Sequence, residues 1–274
     1  MFDILVHASN YASPTRSMRY AAETAKAFGA SLTGMFVAEP IVPLSPLNIM
    51  PVTPEIYAAA GEIAGEARAY EPKFREWANA AGVARNKWKV ASGFFSGALA
   101  AAANWHDAVV LECGSEVAWA SVPILGHALV TCGVRCFVVP EAFAGSAAFD
   151  SIAIASHGSP ESIRAAHAAL PLLKRAKRIV LIQGQQREAF STVEFRPPFL
   201  LEDHLRRHGL EFTTQALDES GDHVGAKILA AASAAAADIL VMGAYGRTRL
   251  SEWILGGVTR HVLENARLPL FMRH

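Results

Sequence analysis

The stretch Asp238-Ile-Leu-Val-Met-Gly243-Ala-Tyr-Gly246, followed after nine residues by Gly256-Gly257-Val258-Thr259, decides how this chain is read. An apolar run opened by an acid reads as a strand buried on both faces. Glycines at both rims of the loop behind it let backbone N–H groups crowd around a phosphate at the start of the next helix. A second reading stays open, in which the glycines only permit close packing of strand on helix. On the first reading Arg247 is the charge partner of the phosphates and Thr259 a hydroxyl donor near the helix start, while Arg249 and Arg260 lie on helix faces.

Working outward, the chain repeats itself. Ile4-Leu-Val-His-Ala-Ser-Asn-Tyr-Ala-Ser-Pro14 and Ile152-Ala-Ile-Ala-Ser-His-Gly-Ser-Pro160 each join an apolar strand to a polar turn and a Ser-Pro helix start. The first helix is expected over Thr15 to Phe28, closed by Gly29, and its counterpart over Ile163 to Arg175. Second strands follow at Ser31 to Val37 and Arg178 to Ile182. An irregular stretch comes next in each copy, Pro40 to Pro54 and Gln185 to Pro198. Helices are then expected at Glu55 to Ala81 and Phe199 to His208, third strands at Lys87 to Ala91 and Glu211 to Ala216, and alanine-rich helices at Ser96 to Trp105 and Val224 to Ala236. Fourth strands open at Asp107 and Asp238, and each copy ends with Leu-Gly, a helix and a last strand, Cys136 to Val139 and Leu270 to Met272.

Strands alternating with helices at this spacing make right-handed parallel βαβ units. The expected fold is α/β: two tandem doubly wound domains, each a five-stranded parallel sheet flanked by helices. Their expected spans are residues 1–145 and 149–274, joined by the small, flexible linker Ala142 to Ala148. Ligands of such sheets lie beyond the carboxyl ends of the strands where strand order reverses, here the ends of strands one and four.

Composition narrows the partners. Lys+Arg and Asp+Glu number 25 each in 274 residues, so no overall field draws the chain to nucleic acid or anionic lipid. The opening Met1-Phe2-Asp3 runs into a strand without the order of a signal peptide, and a cytoplasmic location is expected. The uncharged run Val117 to Val134 holds Ser121, Pro123, His127, Thr131 and two glycines, and reads as protein interior rather than a membrane span. Cys113, Cys132 and Cys136 are odd in number and read as small buried residues, neither a disulfide framework nor a metal site.

Gly-x2-Gly-x9-Gly after a fourth strand, on two consecutive copies of this order, resembles the universal stress protein family in its tandem form, with an adenine nucleotide alpha hydrolase-like fold. The resemblance is strongest from Asp238 to Met272. It implies a stress-response protein whose second domain holds ATP, AMP or phosphate between Ala155, Ser156 and His157 at the end of strand one and Gly243, Gly246, Arg247, Gly256, Gly257, Val258 and Thr259 around the loop after strand four. It implies that ATP or AMP is a ligand, with no cofactor required, and that the two last strands pair edge to edge within the chain. His157 stands where family members carry Asp, and Gly257 where they carry Ser or Thr. Losing each hydrogen bond costs about 0.5–1.5 kcal/mol, so affinity is expected to drop roughly ten- to hundredfold without vanishing.

The first copy departs further. Aligning Leu125-Gly126 with Leu255-Gly256 drops the loop glycines onto Cys113 and Glu116, or with a one-residue gap onto Glu112 and Ser115; Ser9 takes the strand-one Asp position. A carboxylate there repels phosphates, so domain one is expected not to bind ATP by this route. His204 and His208 lie four apart on a helix among Glu202, Asp203, Arg206 and Arg207, and read as surface histidines rather than metal ligands. His7 reads as an interior or rim residue. Gly-x-Ser-x-Gly, His-Glu-x-x-His and P-loop signatures are missing, so no catalytic residue is assigned and no enzyme is expected. Two alternatives stay open: an adenine-nucleotide hydrolase, or a carrier of a small anionic or lipid-like ligand with Pro40 to Pro54 as lid. The alanine-rich helices offer a homodimer face.

Overall fold

The computed structural model describes residues 3–40, 44–45, 48–49, 53–114, 121–184, 200–217, 223–245 and 257–274. They fall into two compact units, Met1–Glu112 and Cys113–His274. The first repeat runs β1 (Asp3–His7), α1 (Arg16–Phe28), β2 (Ser31–Ala38), the short ribbon β3 (Leu44–Ser45) and β4 (Asn48–Ile49), α2 (Pro54–Ala69), α3 (Glu71–Ala80), β5 (Asn86–Ser92), α4 (Phe95–Ala103), β6 (Ala108–Cys113), α5 (Val122–Thr131) and β7 (Arg135–Pro140). The second runs β8 (Ser151–Ser156), α6 (Pro160–Ala168), α7 (Leu170–Leu173), β9 (Arg178–Gln183), α8 (Leu201–Arg207), β10 (Thr213–Ala216), α9 (Val224–Ala234), β11 (Ile239–Gly243), α10 (Gly257–Asn265) and β12 (Leu270–Arg273).

The five long strands expected of each repeat are therefore present. Four long strands of the first repeat lie in the first unit, in the order β6-β1-β2-β5, all parallel. The second unit has the order β10-β9-β8-β11-β12-β7, parallel except where β12 meets β7 antiparallel. That last pairing sets Leu270 against Val138 and Met272 against Cys136, the edge-to-edge contact expected of the two last strands. Phe137 and Phe271 meet there edge to face at 5.0 Å, both fully buried. By sequence β7 closes the first repeat, yet with α5 it belongs to the second compact unit.

Local chemistry explains the helix boundaries. Ser159 caps α6 through its side chain, with Pro160 in the first turn, as Ser-Pro predicts. In the first copy the cap moves on to Thr15, which accepts from Met18 N at 3.3 Å, so Ser13-Pro14 precedes the helix instead of opening it. The single helix expected over Glu55 to Ala81 is two, broken at Tyr70 because Pro72 has no N–H to continue the ladder. The run Ile163 to Arg175 likewise divides around Ala169, ahead of Pro171. Each repeat ties its first strand to its fourth in the same way: Asp3 N donates to Asp107 Oδ2 at 3.2 Å, and Ser151 N to Asp238 Oδ2 at 2.8 Å.

The first unit builds its core around a missing side chain. Gly34 in β2 lies under Phe74 and Trp88, whose rings sit 4.9 Å apart, and a Cβ there would come within 2.6 Å of Phe74 and 2.7 Å of Trp88. Trp88 is further held by its Nε1–H donating to Ala67 O at 2.7 Å. Gly34→Ala is expected to destabilise the protein by about 1–3 kcal/mol through overpacking, read as a lower urea midpoint at unchanged slope.

Candidate functional site

Strand order in the second unit reverses between β8 and β11, which are adjacent and parallel with Met242 opposite Ala155. Their carboxyl ends carry Ala155, Ser156 and His157 on one side and Gly243 on the other, so the structure brings these expected site residues to one rim. Ser156 is buried, and its hydroxyl lies 3.1 Å from Ser162 Oγ and accepts from Gly158 N at 3.3 Å. That hydroxyl ties the end of β8 to the first turn of α6.

Gly243 is where α6 touches the sheet. A Cβ at this position would lie 2.6 Å from Ser162 N and 2.7 Å from Glu161 C, both backbone atoms that cannot swing away. The packing reading of this glycine is thus established: only hydrogen fits between strand and helix. Gly257 behaves differently. It opens α10, and no described atom lies within 4 Å of the place a Cβ would occupy. Val258 and Thr259 follow in the same turn, Thr259 being buried. The first N–H groups of a helix have no intrahelical acceptor, and its dipole adds positive potential, so this exposed start suits an anion. Gly246, Arg247 and Gly256 lie outside the described residues, as do Ser115 and Glu116 in the first repeat.

The corresponding rim in the first unit is occupied by the protein itself. The matched ties at Asp3 and Ser151 bring Val110 into register with Val6 and Val241 with Ile154, which makes Glu112 the counterpart of Gly243. Glu112 pairs with Arg16 at 3.0 Å and accepts from Ser17 Oγ at 3.3 Å. Both partners belong to the first turn of α1, so a carboxylate from the fourth strand sits at that helix's positive end. Sequence reasoning placed Glu112 near the loop as a source of repulsion; the structure shows it engaged as an internal anion. Beside it His7 is buried and held neutral, its pKa pushed down to about 3 by desolvation, with the Phe95 ring edge-on at 4.6 Å.

The three cysteines are buried and free, as read from the sequence. Burial, with Glu141 and Glu264 nearby, pushes the Cys113 thiol up to about 11, and a hydrogen bond with Cys132 together with burial raises Cys136. Tyr245, just past β11, has its hydroxyl pKa raised by burial and by Cys113, and that hydroxyl is buried without a hydrogen bond. No described helix is long and apolar enough to cross a membrane. Among the described residues no group of three His, Cys, Asp or Glu is arranged to hold a metal.

His204 and His208 are not two isolated surface groups. His167 of α6 stacks on His204 at 3.8 Å, and His208 meets His204 edge-on at 4.6 Å. The sequence signal for this lay 37 residues apart on two helices, beyond any spacing rule. Desolvation, with His167, His208 and Arg207, holds His204 down to about 4. The unfolded chain takes up this proton at the ordinary value of 6.5 while the folded one refuses it, so this contribution to stability is full above 6.5 and is lost as pH falls toward 4. Urea melts at about pH 7 and about pH 4.5 are expected to differ less in His204→Phe, which keeps a ring in the stack but cannot titrate, than in the wild type.

Comparison with known proteins bears on the fold and on the family. Residues 148–273 match the model of the universal stress protein family. No curated protein matches the chain. A solved universal stress protein from Archaeoglobus fulgidus superposes with a TM-score of 0.69 at 19% identity, covering 99% of this chain and 95% of the other. Another from Pseudomonas aeruginosa, described as a putative member of that family, gives 0.53 at 13% identity over 99% and 92%. A functionally unknown protein from the same species gives 0.55 at 14% identity over 99% and 92%. At these identities the structures speak for the fold, and the family match falls on the half that carries the Gly243 rim.

Proposed function

We propose that the chain is a tandem universal stress protein acting in stress response, with an adenine-nucleotide site in its second domain, on the match of residues 148–273 to that family. The observation that carries this reading is the start of α10: Gly257 is exposed, with no described atom within 4 Å of where its Cβ would lie, beyond a β8/β11 rim where strand order reverses. Phosphates are taken by that helix start, with Gly246, Arg247 and Gly256 completing the loop, while Ala155, Ser156 and His157 border the nucleoside. ATP or AMP is the ligand, and no further cofactor is called for.

The reading is of a binding protein rather than an enzyme, acting in the cytoplasm. Nucleotide binding shifts the population of surfaces offered to a partner. The first domain serves as scaffold or partner-binding copy, since Glu112 occupies its rim. Association of two chains through the alanine-rich helices α4 and α9 belongs to the same proposal.

Gly257 supplies a test in both directions. A serine side chain fits there without displacing any described atom and restores the hydroxyl that the resemblance expects. Gly257→Ser is expected to tighten ATP and AMP about two- to tenfold by calorimetry, the value of one hydrogen bond. Gly257→Asp puts a carboxylate at the anion site and is expected to abolish binding while leaving the melting temperature without ligand nearly unchanged. If neither nucleotide raises the melting temperature of the wild type, the reading fails.

A further inference from the structure

Two charged side chains flank the contact between α6 and Gly243, and the fold leaves both with unmet hydrogen-bonding capacity. Glu161, at the second position of α6, is 3% exposed, and its Oε1 makes no hydrogen bond. Its ion-pair contact with Arg164 Nη1, at 3.7 Å, is longer than a hydrogen bond. Arg273 in β12 is in register with Gly243, and its Nε is likewise buried without a hydrogen-bond partner.

Both groups belong to the same side of the sheet. The position of a Gly243 Cβ lies 2.9 Å from Glu161 Cβ, so that residue faces α6. In-register neighbours on parallel strands point to one face, which puts the Arg273 side chain on the α6 side as well. Two residues back, Phe271 pairs with Phe137, and Arg135 of the same strand face reaches Ala168 O of α6 at 3.3 Å, as this assignment requires. Helical side chains lean toward the N-terminus of their helix, which carries Glu161 toward the carboxyl rim of the sheet. The two groups do not pair with each other.

A buried acceptor and a buried donor without hydrogen bonds are unfavourable on their own, and become favourable when one group serves both. A hydroxyl donates to a carboxylate and accepts from a guanidinium, and a vicinal diol does so twice. The unit-one counterparts are instructive: there the strand carries Glu112 and the second helix position Ser17, joined at 3.3 Å. In unit two the strand position is Gly243 and the helix position Glu161, so the carboxylate is supplied from the opposite element and the hydroxyl is missing.

We propose that Glu161 and Arg273 recognise a ribose hydroxyl of the nucleotide, and that this hydroxyl takes toward Glu161 the part that Ser17 plays toward Glu112 in the first unit; this rests on the nucleotide reading above. With phosphates at the start of α10 and the base beyond Ser156 and His157, the sugar lies at the carboxyl rim beyond the end of β11, where the first turn of α6 meets the strand. The full-length protein is titrated by calorimetry with AMP, 2′-deoxy-AMP and 3′-deoxy-AMP. Wild type is expected to bind AMP about tenfold more tightly than the weaker deoxy analogue, because a site built to pair a hydroxyl rejects the analogue lacking it. E161Q, of equal volume, is expected to lose that preference while melting no lower than wild type; R273Q reads the same preference should E161Q fail to fold. Binding of all three ligands with equal affinity, or a preference that survives both substitutions, overturns the hydroxyl contact and leaves the nucleotide site standing. Wild type that binds none of the three overturns both.

Discussion

The second domain depends on one close approach, the first turn of α6 resting on the backbone of Gly243 with no room for a Cβ. That contact puts a helix start at the carboxyl rim, where β8 and β11 lie side by side and strand order reverses. The Ser156–Ser162 hydroxyl contact and the Ser159 cap secure the same turn from the β8 side. A side chain on residue 243 would push α6 off the strand and open the rim. The glycine is therefore required by packing, and any ligand chemistry near it is done by the groups it brings together.

The first unit shows what happens when that contact is made differently. Glu112 stands in place of the glycine, and its carboxylate is absorbed by Arg16 and Ser17 at the head of α1. A carboxylate held there by two side chains lies in the favourable field of the helix dipole and leaves negative charge at the rim, which repels phosphate. In the second unit the equivalent carboxylate comes from Glu161 without a hydroxyl to meet it, and the helix start that suits phosphate is instead α10. The two repeats share their element order while their rims differ at a few positions.

Most of the architecture was legible because it follows local rules. The paired strand–turn–helix openings, Gly29 in the left-handed conformation that ends α1 with φ 59°, and the acid-led fourth strands all stand where pattern and propensity put them. Misreadings came where a short-range feature outweighed periodicity: Pro72 and Pro171 divide helices that the hydrophobic spacing ran together, and Thr15 out-competes Ser13 as a cap. The site was legible only in part. Gly243 and Gly257 look alike in sequence, yet one is fixed by packing against α6 and the other has no described atom within 4 Å of its Cβ position.

The amino-acid sequence by itself determined the duplication, the parallel α/β class and the rim at which strands one and four end, because hydrophobic period, caps and turn glycines are local and additive. Only the tertiary structure decided that α5 and β7 belong with the second unit, that Glu112 satisfies α1, and that His167 completes a stack with His204 and His208. It also decided that Glu161 and Arg273 flank one contact with polar atoms unmet. Each of these joins residues far apart in the chain, and such contacts follow from register and from which face an element buries, neither of which a spacing rule encodes.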